Sequence, residues 1–170
     1  MSARRIEEVL AFTNLEHAGD VLDKNLLGHA AKRLKRNIAL SHDQAKELAE
    51  IIARLIANLR ASASVFMTED LRAARLLATE KEAFRELESA ATEQHFAHIR
   101  DGRTQGAVGS AWRLDLLRGL KRVNDHLVAA AAYPVFEGAR RTVAHPVARE
   151  RLRSSTRGRS APSIYGLPPK

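Results

Sequence analysis

The sequence predicts an all-α protein built as an antiparallel bundle of four long helices. Three observations lead there. Alanine, leucine, arginine and glutamate dominate the 170 residues and aromatics are only 5%, a composition of good helix formers without the β-branched runs a sheet needs. Apolar residues recur at three- and four-residue spacing over most of the chain. Helix-capping and helix-breaking signals are far apart, leaving room for helices on the order of 35–50 Å long at about 1.5 Å per residue.

Helix 1 is expected from about Arg4 to Ile38. Leu15, Ala18, Gly19, Leu22 and Leu26 share one arc, yet Ile6, Val9, Leu10, Val21 and Leu27 lie away from it. A helix apolar on several faces wants several neighbours. Ser41-His42-Asp43-Gln44 is a Ser-x-x-Gln capping box and opens helix 2. There Ala45, Leu48, Ile52, Leu55, Leu59, Ser62 and Phe66 alternate at four and three residues, the spacing of a bundle seam. Thr68 is the expected N-cap of helix 3, with Glu69 and Asp70 at its positive end. Leu77, Phe84, Leu87 and Ala91 form its core face, and Asp101-Gly102 with Gly106 and Gly109 forms the loop that ends it. Helix 4 should run from about Ser110 to Tyr133 and stop at Pro134. Its arc is Trp112, Leu116, Leu117, Leu120, Val123, Leu127 and Ala131, with Asn124 inside it as a register-fixing amide. Short connections make helices 2, 3 and 4 antiparallel neighbours.

Two parts are expected: a bundle over 1–136 and a basic, Pro/Gly/Ser/Arg-rich disordered tail over 137–170, with room for a short helix around Val143–Leu152. The net charge of +8 belongs almost wholly to that tail, because Ala139–Lys170 holds eight Lys/Arg and one acid. The bundle itself is nearly neutral. The tail is expected to be solvated, with contact to anionic lipid as a second reading. Nucleic acid is not expected as a partner, since the tail lacks interleaved aromatics for stacking.

Absent cysteine excludes disulfides and thiolate metal sites. Arg4, Arg5, Glu7 and Glu8 interrupt any leader-like apolar run, and nowhere do about 18 apolar residues stand in a row. The chain is therefore expected to be soluble and cytoplasmic.

The most chemically pointed stretch is Asn14–Asn25. Glu16, Asp20 and Asp23 fall within about 60° of one another on a helix, beside the core arc. They either help to hold a divalent cation, with ligands from other helices or another chain, or pair with bases such as Lys24 and Lys121. His95 and His98, at i and i+3, have a spacing that suits one ion but no identifiable third ligand. His17 and His126 read as surface or interface residues. No nucleophile with its base and orienter, phosphate loop or dinucleotide fingerprint is found, so no enzymatic activity is expected.

Helix 4 echoes helix 1. Leu15-Glu16-His17-Ala18-Gly19-Asp20-Val21-Leu22 aligns with Leu120-Lys121-Arg122-Val123-Asn124-Asp125-His126-Leu127. Together with Val65-Phe66-Met67-Thr68-Glu69-Asp70 and Leu114–Asn124, these residues resemble the PhoU family of phosphate-uptake regulators. The likeness is greatest to the cytoplasmic PhoU-like domain at the C-terminus of bacterial sodium/phosphate cotransporters, and it covers about Arg4 to Phe136. The resemblance implies one three-helix unit preceded by the last helix of a truncated first unit. It implies a regulatory role in phosphate homeostasis at the inner membrane face, docking to a transporter membrane domain or another membrane protein; the several apolar faces of helix 1 in turn predict self-association into a homo-oligomer. It also implies that Glu16, Asp20 and Asp125, with Asp23 nearby, are the candidate metal ligands. Lys121 stands where the second motif would have a Glu, and its ammonium could take a cation's place. The alternatives are a stand-alone divalent-metal-binding bundle and a nucleic-acid-associated protein acting through its tail.

Overall fold

The computed structural model describes the backbone of residues 3–102 and 104–156, and the side chains of 5–102 and 108–141. Every regular element among these residues is helical, and four helices pack against each other. The first is interrupted: α1 (Ala3–Asp20) passes through a π-helical segment (Val21–Leu26) into α2 (Leu27–Lys35). Then come α3 (His42–Thr68), α4 (Leu71–Arg100) and α5 (Thr104–Thr156). By compactness the chain divides into two units, Met1–Phe136 and Glu137–Lys170.

The expected capping box is present. Ser41 Oγ accepts from the Gln44 backbone N–H at 3.2 Å, and the Gln44 side chain accepts from the Ser41 N–H at 3.0 Å. The next junction differs from expectation. Thr68 is still helical, and its hydroxyl donates back to the Ser64 carbonyl. Glu69 ends α3 in the left-handed region at φ 52°, and Asp70 caps α4 by accepting from the Arg72 and Ala73 N–H groups. A carboxylate one residue before the helix serves its free N–H groups better than a threonine hydroxyl already bonded to its own helix. Gly106 and Gly109 likewise belong to α5 rather than to the loop.

Directions follow from who meets whom. Val65, near the end of α3, packs with Ala74 and Leu77 at the start of α4 and with Val128 and Ala131 of α5. Glu47 of α3 meets Arg113 of α5, and His95 of α4 meets Ser110 of α5. Neighbours α3 and α4, and α4 and α5, are therefore antiparallel. The first helix runs antiparallel to α5: Asn14 contacts His126, and the His29 carbonyl accepts from the Trp112 indole at 2.8 Å. Every residue of the arc expected on α5, Asn124 included, is buried.

Two further expectations shift. The seam predicted on α3 is displaced: Ile51, Leu55, Asn58, Ser62 and Val65 are buried, whereas Ile52 (39%), Leu59 (49%) and Phe66 (43%) are substantially exposed. This helix has two apolar faces, and the one containing the polar Asn58 and Ser62 faces α4 and α5. By length and composition alone α3 is apolar enough to cross a bilayer; within the bundle, its buried polar residues turn inward. The second shift is at Pro134, where α5 continues to Thr156. Proline removes one hydrogen bond and crowds the carbonyl four residues back, at about 3 kcal/mol. Val135 and Phe136, packed against the cluster of Ala131 and Ala132, hold the next turn in place. The expected tail thus begins inside a helix, and 157–170 lie outside the described residues.

Candidate functional site

Of the candidate carboxylates, Glu16, Asp20 and Asp23 stand together on the first helix and Asp125 stands on α5. Asp20 binds Lys24 on its own helix at 2.7 Å, and both are exposed. Glu16 and Asp23 are exposed nearby and reach Lys24 only through space; the Lys24 pKa is raised, chiefly by the Asp20 hydrogen bond. Asp125 faces elsewhere: its Oδ2 lies 3.4 Å from Lys121 Nζ, which is also 3.6 Å from Glu88 Oε2 of α4. Arg118 meets the other Glu88 oxygen at 3.3 Å. Among the described residues, no three His, Asp or Glu side chains converge as a metal-holding group. Alone, these residues do not make a ligand set, and a divalent ion at Glu16 and Asp20 would need ligands from outside them. His95 bonds Ser110 Oγ at 2.9 Å, and His98 Nδ1 is buried without a partner.

Three features emerge that the sequence did not single out as sites. The first is a polar relay that runs inward from the exposed Arg54 through Glu80 and Asn58 to the buried Asn124. Asn58 Nδ2 donates to Glu80 Oε2 and to Asn124 Oδ1, each at 3.0 Å. Hydrogen bonding from Arg54 holds the Glu80 carboxyl below its ordinary pKa, against the opposing effect of burial.

The second is an apolar groove of about 670 Å³ between the first helix and α3. Its walls include Leu22 and Leu26 on one side and Ile52 and Leu59 on the other, and its floor is Leu116, Leu120 and Val123 of α5. Phe12 of the first helix and Phe66 of α3 also pair edge to face, at 6.4 Å. Within the lining, Arg33 lies 5.8 Å over the Trp112 ring. The exposed half of the α3 double face explains this groove: helix periodicity marked the residues as apolar but could not say which of the two faces the bundle covers.

The third is a polar cleft of about 350 Å³ on another side of the first helix, lined by His17, Asp20, Lys24, Asn25, Arg122 and His126. The two imidazoles meet edge to face at 5.3 Å between centroids. The echo between helices 1 and 4 had placed these histidines at neighbouring motif positions; antiparallel packing brings them together.

No family model matches the chain, and no solved structure matches it. Over 136 residues, 79% of its length, it is 32% identical to "Putative inorganic phosphate export protein YjbB" of Escherichia coli K12. Its identity and coverage are the same against the proteins of that name from Escherichia coli O157:H7 and Salmonella typhimurium. The chain spans about a quarter of the length of these curated relatives. It is thus a distant homologue of part of the protein that carries this name.

Proposed function

We propose that the chain is a non-enzymatic accessory domain of phosphate transport, PhoU-like in kind, that acts by helix docking at the cytoplasmic face of the membrane. The observation that carries this reading is the apolar groove, open to solvent in a chain homologous to a quarter of a phosphate export protein. Leaving Ile52, Leu59, Leu22 and Leu27 exposed is unfavourable, at about 25 cal/mol per Å² of apolar surface. An amphipathic helix of the transporter's membrane part, apolar toward the groove and acidic where it meets Arg33, would cover it. The basic end of α2, with Lys32, Arg33 and Lys35, suits the cytoplasmic side of a membrane, where positive charge gathers beside anionic headgroups.

The test places a photocrosslinking residue at position 59 of the full chain in its native host and follows efflux of radiolabelled phosphate. The expected result is a light-dependent adduct with a phosphate carrier of the membrane fraction, and altered efflux for Ile52→Glu/Leu59→Glu. Adducts formed only with a second copy of the chain, or unchanged efflux in the double variant, would overturn the proposal.

A further inference from the structure

The outer face of α1 takes no part in the groove. Ala11 and Ala18 are the buried residues of this helix among those described. At about 100° per residue, Val9, Thr13 and Glu16 lie within about 30° of the direction opposite them, and Arg5, Ile6 and Phe12 within about 70°. None of these six lines the groove. Ile6 (47%), Val9 (55%) and Phe12 (63%) are exposed, and Phe66 of α3 extends the apolar surface beside Phe12. An apolar strip of this kind on a bundle's outer side is unfavourable in water and suits a partner surface.

Charge stands at both ends of the strip and differs in sign. Arg5 is exposed at the N-terminal end, and Glu16 is exposed at the other. Among the described residues Arg5 has no ion-pair partner, and Glu16 reaches Lys24 only through space, because Lys24 is bonded to Asp20. Glu7 and Glu8 are otherwise engaged. Asp23 lies about two turns past Glu16, beyond the strip. Arg5 and Glu16 are about three turns, or roughly 16 Å, apart on the same side of one helix. They are too far apart to pair within one chain.

A strip that is basic at one end, apolar in the middle and acidic at the other is complementary to itself turned end for end. Two copies related by a two-fold axis level with Leu10 and Ala11 set Val9 against the partner's Phe12 and Arg5 against the partner's Glu16, each twice. Parallel pairing would instead set Arg5 against Arg5 and Glu16 against Glu16. We infer that the outer face of α1 is an antiparallel interface with a second copy of this chain, apolar at its centre and closed at each end by an Arg5–Glu16 ion pair. The groove opens on another side of the first helix, so the inference does not depend on the docking proposal and the two contacts coexist. A contact this narrow belongs with the smaller interfaces, and its dissociation constant is expected on the order of 10 μM.

Sedimentation velocity of the full chain at low salt tests it. The wild type is expected to show a monomer–dimer equilibrium. Arg5→Glu alone and Glu16→Arg alone bring like charges together at both ends of the contact, and each should weaken the dimer at least tenfold, about the effect of turning two surface ion pairs into repulsions. Mixing the two single variants should restore association, because opposite charges then face each other again. The double variant Arg5→Glu/Glu16→Arg should dimerise by itself, a recovery that misfolding could not imitate. Recovery in the mixture but not in the double variant would mean parallel pairing and overturn the inference. It would be overturned equally by a wild type that stays monomeric at hundreds of micromolar, or by single variants that dimerise as the wild type does. A dimer broken by Ile52→Glu/Leu59→Glu and not by the charge changes would place the second copy in the groove instead, and would also overturn it.

Discussion

Asn58 and Asn124 share a hydrogen bond of 3.0 Å in the centre of the bundle, with Asn124 fully buried and its own Nδ2 unpartnered. The bond ties α3 to α5 at the one level where both helices interrupt their apolar faces. Asn124→Ala should cost about 1–3 kcal/mol in urea unfolding, because Asn58 loses its buried acceptor. Arg60→Ala, a change on the exposed side of the same helix, serves as the control and should stay within about 0.5 kcal/mol of wild type.

Glu80 extends this relay toward the surface and makes it pH-dependent. Its folded pKa is depressed below the ordinary 4.5, mainly by the Arg54 hydrogen bond. A depressed carboxylate stabilises the fold above its unfolded pKa, and that stability is lost as pH falls through the folded value. Wild type should therefore lose stability below about pH 4.5 more steeply than Glu80→Gln. Parallel acid slopes in denaturant unfolding would contradict this.

Gly119 permits the close approach of the first helix. A Cβ there would stand 2.7 Å from Leu26 Cδ2, whereas one at Gly28 would meet nothing within 4 Å. Helix propensity alone favours alanine over glycine by about 0.5–1 kcal/mol. Thermal unfolding should show that gain for Gly28→Ala and little or none for Gly119→Ala. Gly119→Val should be plainly destabilising.

Capping gives a sharp contrast between neighbours. Asp70→Ala should cost about 1 kcal/mol, since two N–H groups of α4 lose their acceptor. Thr68→Ala should cost much less, because its hydroxyl bonds only to its own helix. Urea unfolding of the two variants decides.

Lys121→Met tests the ammonium between Asp125 and Glu88. With side chains about one-quarter exposed, the two carboxylates would lose a shared counter-charge, at about 1 kcal/mol. A variant as stable as wild type would mean that solvent or Arg118 suffices for Glu88.

How far sequence could reach depended on how many neighbours each residue has. The α5 arc was readable because that helix is enclosed by all the others, so apolarity and burial coincide there. On α3 they part. Ile52 and Leu59 are as apolar as Ile51 and Leu55, and periodicity cannot tell the face that is covered from the one that is not. Asn58 was passed over because it lies off the seam read on α3, and its role depends on Glu80 and Asn124, 22 and 66 positions away. At the candidate site, the local geometry of Glu16, Asp20 and Asp23 was legible from helix angles. That Asp125 would be drawn to Glu88 through Lys121, and His17 to His126, depended on tertiary packing.

The π-helical turn at Val21–Leu26 gives the first helix a further property. Residues before it bring His17 and Asn14 to α5 and, with Leu15, Ala18 and Gly19, start one wall of the groove; residues after it continue that wall to Trp112. In a regular helix each residue adds about 100° of rotation, whereas a π turn absorbs an extra residue within one widened loop of backbone. Loss of a single residue here, such as the exposed Lys24, would let the turn revert to α geometry and swing one half of the helix relative to the other. The two halves of the groove wall, Leu15, Ala18 and Gly19 before the turn and Leu27, Ala30 and Leu34 after it, are thus kept in phase by one surplus residue, and a one-codon deletion would be enough to put them out of step.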